Sequence, residues 1–399
     1  MADASSRPDS RRIVVAGMLA LATAMGIGRF AFTPLLPMML HDGIVSLPEA
    51  SGLASANYLG YLVGALFCMF RPLPQPTVMI RIGLVSTLAL TLGMAAPWPT
   101  VWPFLRFFAG VASALVFVYT SGWCLSQAAV RGHTSLGALI YTGPGAGIVL
   151  TGLAASAMVA ADWRASSGWL IFGLLALLLT VSIWPVFHAR NAMSAAQPAN
   201  TGQTSPSSGH SSFEVALLAL AYGVAGFGYI ITATFLPVIA RQALPGSAWL
   251  DLFWPIFGFG VILGAVTASR MRIVRDLRLM LMISYLIQAA GVALSLVRPT
   301  LPGFALGSLL VGLPFTAITY FAMQEARRIR AQRMSSTIGL LTALYGLGQI
   351  LGPQVAAYLL GHTATPAIAF NLALEVAAGS LLLGAALYGL LMRAYPVVR

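Results

Sequence analysis

Twelve apolar stretches, each long enough to cross a lipid bilayer as a helix, dominate this chain of 399 residues. A helix needs about 20 apolar residues to cross roughly 30 Å of hydrocarbon, and a segment in lipid must satisfy its backbone hydrogen bonds internally. Hydrophobic residues make up 58% of the chain and charged residues 8%, a composition foreign to soluble domains. The predicted spans are residues 13–39, 52–70, 78–96, 100–123, 135–159, 166–187, 213–240, 249–269, 277–297, 301–323, 335–360 and 366–392.

The arrangement of the arginines predicts how these spans are oriented. All 22 basic residues are arginine, and the net charge is +12. If the N-terminus is cytoplasmic, 17 arginines fall on that side, and the other side receives only Arg164, Arg241 and Arg298. This positive-inside bias places both termini in the cytoplasm. The basicity therefore indicates contact with anionic lipid and not with nucleic acid.

The chain divides into two halves that look like copies of each other. A stretch rich in Ser, Pro, Gly, Ala and Asn separates six spans from six, and a shift of 200 positions superimposes Gly26 on Gly226, Gly28 on Gly228, Gly60 on Gly260 and Gly64 on Gly264. We predict a cytoplasmic N-terminal tail at 1–12, a six-helix bundle at 13–187, a cytoplasmic linker at 188–212 and a second bundle at 213–399.

An all-α protein made of two parallel six-helix bundles has the layout of transporters that rock one half against the other. The Gly-x-x-x-Gly pairs at 60–64 and 260–264 fit this layout, because small residues one turn apart let helices approach closely in lipid. Simple helix packing is the alternative meaning of each glycine taken alone. The repeat carries the interpretation.

Twelve spans split by a cytoplasmic linker resemble the major facilitator superfamily. Within it, "GIGRFAFTPLLPMML" at 26–40 and "GLASANYLGYLVGAL" at 52–66 resemble the bacterial YbfB/YjiJ-type branch. The resemblance implies a major facilitator fold in the bacterial inner membrane, whose first, fourth, seventh and tenth helices line a central cavity. It implies a solute carrier driven by an ion gradient or by the gradient of its own substrate. We expect a monomer without cofactor or metal.

Arg29 is the most informative single residue. An arginine near the bilayer centre costs about 2.5 to 3.5 kcal/mol, so it usually faces the protein interior and serves a site. Arg29 lies 16 residues into the first span, about 24 Å along a helix, too deep to reach the cytoplasmic surface. We expect it to face a water-filled cavity and bind substrate. The alternative is a structural charge paired with a carboxylate or with helix-end carbonyls.

Two further motifs come with the resemblance. Arg106 followed by Gly110 is similar to the fourth-helix motif of proton-coupled members, which implies substrate binding or proton coupling by Arg106; an arginine at the membrane interface is the alternative. Gly143, Pro144 and Gly147 are similar to the core of the fifth-helix motif of antiporters and exporters, although Ile148 replaces a final glycine. The motif predicts a proline kink in the fifth helix that allows bending or gating.

The acidic residues set the limits on coupling and on cargo. Glu375 is the only acid well inside a span, and with Glu325 it is a candidate for proton coupling. The acid found on the first helix of many cation exporters is absent. Cys68 and Met69 replace the acid and base that the superfamily usually carries after its second span, so Arg71 and Arg81, or Arg270 and Arg272, are candidates to hold helix-end carbonyls instead.

These features favour a transporter of a small organic anion or amphipathic metabolite, because the cavity would hold arginine and little acid. Proton-coupled export is the first hypothesis, and uptake by symport or facilitated diffusion is the second. A membrane enzyme or sensor is remote, since the chain lacks a phosphate loop, zinc-type spacing and a catalytic cluster. Besides the arginines, the predicted cavity wall consists of Thr33, Asn57, Tyr119, Tyr141, Tyr229, Trp254, Tyr320, Tyr345 and Gln349.

Overall fold

The computed structural model describes residues 10–70, 75–131, 138–187, 212–247, 249–271, 276–329 and 334–396. Within these ranges, 12 helices are long and apolar enough to cross a membrane, in agreement with the prediction. The tail up to residue 9 and the linker up to residue 211 lie outside the described residues. The helices are α1 (Ser10–His41), α2 (Leu47–Phe70), α3 (Pro76–Gly93), α4 (Trp102–Ala128), α5 (Leu139–Ala160), α6 (Ala165–Ile183), α7 (Ser212–Ala243), α8 (Leu250–Arg270), α9 (Leu277–Val297), α10 (Leu301–Ala326), α11 (Thr337–His362) and α12 (Pro366–Ala394).

Two of the twelve helices, α1 and α10, are discontinuous. Helix α1 is α-helical over Ser10–Leu21, passes through a π-helical segment at Ala22–Ile27 and a turn at 28–31, and resumes as α-helix at Phe32. Helix α10 is interrupted between Gly312 and Phe315, where Pro314 lacks the backbone N–H that a continuous helix needs. The two interruptions lie next to each other, because the ring centres of Phe30 and Phe315 are 5.9 Å apart.

The repeated glycines perform the same task in each bundle. A Cβ atom on Gly60 would overlap the carbonyl oxygen of Phe107, so α2 and α4 touch along their backbones. A Cβ atom on Gly264 would overlap the carbonyl oxygen of Leu313 in the same way between α8 and α10. Close approach through small residues is a common mode of helix packing in lipid, and the structure places it in the corresponding helix pairs of the two halves.

An arginine near the start of the third helix of each bundle holds the end of the sixth. Arg81 donates to the carbonyl oxygen of Trp184 at 3.3 Å. In the second bundle Arg278 donates to the carbonyl oxygens of Leu391 at 3.1 Å and Tyr395 at 2.7 Å. Of the candidates from the sequence, Arg81 therefore does hold a helix end. Arg71 and Arg272 lie outside the described residues.

Arg278 is also the centre of a buried charge cluster. Its guanidinium lies 2.9 Å from Asp276, 3.6 Å from Glu325 and 4.0 Å from Glu214, and its side chain has no exposed surface. Partial burial opposes ionisation of Asp276, but the hydrogen bonds from Arg278 hold the pKa of this carboxyl below its usual value. The cluster joins the ends of α7, α9 and α10, all at the end of the bundles where α1 begins and α12 ends, here called the terminus side.

Three hydrogen bonds join the two bundles in the half of the molecule away from the termini, here called the far side. Thr33 donates to the carbonyl oxygen of Ala233 at 2.8 Å, Tyr58 and Thr234 share a hydrogen bond of 2.9 Å, and Ser55 donates to Ile350 at 3.1 Å. On the terminus side Met69 of α2 packs against Gly339 of α11, and a small crevice of about 20 Å³, room for little more than one water molecule, lies between the bundles. Its lining residues are Tyr141, Ala265, Ala268, Ser269, Thr316 and Tyr320.

Candidate functional site

Arg29 lies in the interrupted segment of α1 and is 3% exposed. Its Nε and Nη2 atoms are buried and have no hydrogen-bond partner among the described residues. None of the ion pairs formed by the described residues includes it. A buried donor without an acceptor costs about 1–3 kcal/mol, more when it is charged. The structural alternative, pairing with a carboxylate, is therefore not observed in the described part of the chain.

Aromatic rings take the place of an acid around Arg29. The guanidinium carbon lies 4.1 Å from the ring centre of Tyr61, 5.1 Å from that of Tyr58 and 5.4 Å from that of Phe30. Ring faces attract a cation through their quadrupole, with more effect when water is excluded. The expected open, wet surrounding of Arg29 is thus an enclosed aromatic one in this structure.

Arg106 supports the backbone from which Arg29 projects. Its Nη1 and Nη2 atoms donate to the carbonyl oxygens of Gly28 at 3.2 Å and Arg29 at 3.0 Å. These carbonyls belong to the turn at 28–31, where a regular helix would have bonded them internally. With 2% exposure Arg106 is not an interfacial residue. Its side chain binds the backbone of α1. The side-chain amide of Asn57 in turn donates to the carbonyl oxygen of Arg106 at 2.9 Å.

The second bundle opposes Arg29 with a group of aromatic residues. Tyr229, the repeat equivalent of Arg29, contacts Phe315 at 4.9 Å and lies parallel to Tyr345 at 6.0 Å. Tyr345 stacks on Tyr222 at 4.7 Å, towards the terminus side. Gln349 donates a hydrogen bond to the hydroxyl of Tyr229. Its Oε1 atom accepts no hydrogen bond from any described residue. Charge in one half faces aromatic surface in the other, as the repeat predicts.

The remaining predicted wall residues do not all reach Arg29. Thr33 closes the far side through Ala233, and Trp254 packs at 6.2 Å from Phe30. Tyr141 and Tyr320 line the crevice on the terminus side. Tyr119 lies in a separate apolar cluster inside the first bundle. The structure therefore brings Arg29, Tyr229, Tyr345 and Gln349 together and leaves these others at its edges.

The predicted proline kink in α5 is not where the structure bends. Residues Ala138–Thr142 form a 3-10 turn, and the α-helix begins at Gly143 with Pro144 in its first turn. Proline is accommodated there because its missing N–H would have no partner in the helix. Gly147 instead provides close packing, since a Cβ on it would collide with the backbone of Gly26 in α1. The motif joins α5 to the interrupted part of α1.

The two candidate coupling acids occupy different surroundings. Glu325 is fully buried and accepts hydrogen bonds from Arg328 at 2.6 and 2.9 Å within the charge cluster. Glu375 lies on the exposed face of α12 beside Val376, which is the face that lipid would cover. Neither carboxylate forms an ion pair with Arg29.

Sequence reasoning missed the aromatic enclosure itself. The sequence analysis predicts Asn57 as a cavity residue and does not assign Tyr58 and Tyr61 as contacts of Arg29. Their spacing of three residues puts both on one helix face, which is a usable signal. Phe315 follows a Pro314 that marks the interruption of α10, a second signal.

Comparisons with known proteins agree with this fold. The model of a family described as "Uncharacterised MFS-type transporter YbfB" matches residues 21–389. A crystal structure of the nucleoside transporter NupG is similar with a TM-score of 0.68 and 14% identity, covering 96% of this chain and 99% of that one. A mutant of NupG gives a TM-score of 0.71 and 14% identity, covering 95% and 99%. No curated protein sequence matches the chain. At this identity the likeness concerns the fold alone.

Proposed function

Because the chain belongs to the YbfB-type family of major facilitator transporters, we propose that it carries a small organic anion across the membrane by alternating access, as an exporter driven by protons. The family is one of transporters, in agreement with the resemblance found in the sequence, and leaves no role for an enzyme. The single observation that supports anionic cargo is Arg29, a buried cation with unpaired donors and no ion pair to any acid of the described residues.

Electrostatics explains why this arrangement selects an anion. Removing a guanidinium from water without a paired charge is unfavourable, and the aromatic rings offset only part of that cost. An anion entering the site supplies the missing charge and accepts the unpaired hydrogen bonds. A cationic solute would meet repulsion instead, and a neutral one would leave the charge uncompensated.

The hydrogen bonds and the crevice suggest the state and the direction of access. The far side is closed by Thr33, Tyr58 and Ser55, and the crevice lies on the terminus side. With both termini in the cytoplasm of a bacterial cell, as the arginine bias predicts, the crevice faces the cytoplasm. The crevice holds little more than one water molecule, so an exporter in this state would have to open further on the terminus side before cargo enters from inside.

Glu325 is our candidate for the proton-binding residue. It is buried between two arginines of the charge cluster, so protonation would release Arg278 and Arg328 and loosen the contacts between α7, α9 and α10. We expect Glu325→Gln to transport without responding to a pH gradient. Transport that still follows the gradient in this variant contradicts the role.

The proposal is tested with purified protein in proteoliposomes loaded with radiolabelled benzenesulfonate or methanesulfonate. Both anions stay ionised, so they do not cross the lipid as neutral acids. With acid outside, we expect efflux faster than from vesicles without protein, and loss of this efflux in Arg29→Gln. Arg241→Gln is the matched control, because Arg241 pairs with Asp251 at the far end of α7 and away from the site.

Each result decides one part of the proposal. Equal efflux from vesicles with wild-type protein and with Arg29→Gln, or no efflux above protein-free vesicles, overturns anion transport through Arg29. Uptake driven by acid outside overturns export and supports symport.

A further inference from the structure

The unpaired nitrogens of Arg29 form one complete edge of its guanidinium. Nε and Nη2 lie side by side in the guanidinium plane and present two nearly parallel N–H groups. Both are buried without a partner among the described residues. Two coplanar oxygens about as far apart as those of a carboxylate match this edge, and a bidentate pair of this kind is the strong form of arginine recognition. The site therefore favours a planar oxyanion over a single point charge.

Among the described residues the site offers one such edge, because the second arginine beside it already donates from two of its three nitrogens. Arg106 is the other buried arginine near the interrupted segment. Its Nη1 and Nη2 atoms donate hydrogen bonds to the carbonyl oxygens of Gly28 and Arg29. No other arginine in the described part of the chain stacks on Tyr58, Tyr61, Tyr229 or Tyr345. A cargo with one negative charge satisfies this arrangement. A second carboxylate would be buried among aromatic rings without a partner, which is unfavourable.

Aromatic surface continues from Arg29 along both bundles. In the first bundle, Tyr61 covers the guanidinium at 4.1 Å and leads to Phe117 at 6.5 Å and then to Tyr141 at 6.0 Å, which lines the crevice. Tyr61 itself is only partly buried, so of the rings on Arg29 it is the one nearest to a path inward.

In the second bundle, Tyr229, Tyr345 and Tyr222 form a stack with interplanar angles of 24° and 23°. Tyr229 also contacts Phe315, which in turn contacts Phe30, one of the rings beside Arg29. Flat rings on both sides of a path suit a flat cargo, because offset stacking adds to the apolar contact.

Resting on the proposed function, we propose that the cargo is an aromatic monocarboxylate, with its carboxylate on the Nε and Nη2 edge of Arg29 and its ring between Tyr61 and the tyrosines of the second bundle. The carboxylate supplies the acceptors that Arg29 lacks. The ring displaces Tyr61 from the guanidinium and stacks in its place. A nucleoside, which carries no negative charge at neutral pH, leaves Arg29 unpaired.

The test is equilibrium binding to the purified full-length protein in detergent, where no membrane permeation interferes. The probes are benzoate, cyclohexanecarboxylate, benzamide and uridine. We expect benzoate to bind roughly 2- to 10-fold more tightly than cyclohexanecarboxylate, the size of a stacking contribution. We expect benzamide and uridine to bind roughly 10-fold or more weakly than benzoate, because they do not accept the charged pair.

Variants separate the ring from the charge. Tyr61→Leu should remove the preference for benzoate over cyclohexanecarboxylate, and Tyr61→Phe should keep it. Arg29→Lys should weaken benzoate binding, since lysine keeps the charge but loses the planar edge. Tyr388→Phe is the control for a buried tyrosine, because Tyr388 packs on Tyr285 inside the second bundle; it should change neither affinity.

The outcomes distinguish this inference from the proposed function. Equal affinity for benzoate and cyclohexanecarboxylate, or a preference that survives Tyr61→Leu, overturns the aromatic assignment and leaves anion transport standing. Benzamide or uridine bound as tightly as benzoate overturns both. No binding of benzoate overturns the aromatic monocarboxylate, and the sulfonate efflux assay then judges anion transport independently.

Discussion

Arg106 on α4 donates from Nη2 to the backbone carbonyl oxygen of Arg29 on α1 at 3.0 Å. One buried arginine thereby holds in place the main chain that carries the other. The relationship assigns different tasks to two residues that look alike in the sequence: Arg29 presents unpaired donors, and Arg106 satisfies unpaired acceptors. The first is suited to bind cargo and the second to position it.

Replacing Arg106 tests this division of tasks. Arg106→Gln leaves the carbonyl oxygens of Gly28 and Arg29 without their charged donor, and each buried unsatisfied group costs about 1–3 kcal/mol. We expect a lower free energy of unfolding by about 2 kcal/mol or more, measured by thermal unfolding in detergent. Arg106→Lys should lose less stability, because an ammonium satisfies one of the two carbonyls.

The pH profile of transport decides between positioning and proton coupling by Arg106. If it only positions Arg29, Arg106→Lys lowers the transport rate and leaves the pH profile unchanged. A shifted profile would restore the coupling role that the fourth-helix motif implies.

Thr33 is expected to help keep the far side closed. Thr33→Val removes its hydrogen bond to Ala233, worth about 1 kcal/mol, which corresponds to roughly a fivefold shift in a conformational equilibrium. A cysteine introduced by Leu236→Cys, at a position 1% exposed, should then react faster with a membrane-impermeant thiol reagent added on the far side.

Thr232→Val is the control for this gate. Thr232 lies beside Ala233 and is buried, but its hydroxyl has no partner among the described residues. It should leave the labelling rate unchanged. Labelling that responds equally to both substitutions would show that the Thr33 bond does not keep the far side closed.

The repeated glycines predict a steric effect of the same kind in each bundle. Gly60→Ala and Gly264→Ala each place a methyl group against a backbone carbonyl of the adjacent helix, and such overpacking costs about 1–3 kcal/mol. Thermal unfolding should show a similar loss for both. Gly52→Ala is the matched control on α2, since a Cβ there meets nothing within 4 Å; it should be neutral or slightly stabilising.

Arg278 should matter more for stability than an arginine paired at the surface. Arg278→Gln removes the buried cation that Glu214 and Glu325 share. Glu325 keeps its pair with Arg328, so we expect a loss at the lower end of the about 3–5 kcal/mol that breaking a buried pair costs. Arg241→Gln breaks a pair whose side chains are 28% and 20% exposed, where about 0–1 kcal/mol is expected. Equal losses in thermal unfolding would contradict a structural role for the buried cluster.

The architecture could be read from the sequence because lipid imposes a simple rule. A chain with 58% hydrophobic residues and few charges must cross the membrane as helices, and the spans agree within a few residues. The depth of Arg29 could be predicted for the same reason. The equivalence of Arg29 and Tyr229 could be predicted from the shift of 200 positions that superimposes the two halves. Burial of Arg29 follows from the cost of exposing it to hydrocarbon.

Other features of the site depend on contacts between helices and could not be read from one helix alone. The interruption of α1 at 28–31 is stable because Arg106, which is far away in the sequence, donates hydrogen bonds to the carbonyl oxygens of Gly28 and Arg29. The outward face of Glu375 depends on the rotation of α12, which an almost uniformly apolar helix does not reveal. Pro144 was misjudged because a proline in a first turn and one in a kink look alike in sequence.

The hydrogen bond between Thr33 and Ala233 joins residues that are 200 positions apart, the offset that superimposes the two repeats. Each of the two is thus the counterpart of the other, and counterparts meet only where a twofold axis passes. In a symmetric dimer of a single half, this position would have touched its own copy. The far-side seal therefore lies on the axis that relates the two halves, and because position 233 is alanine where position 33 is threonine, it has one side-chain hydrogen bond where symmetry allows two.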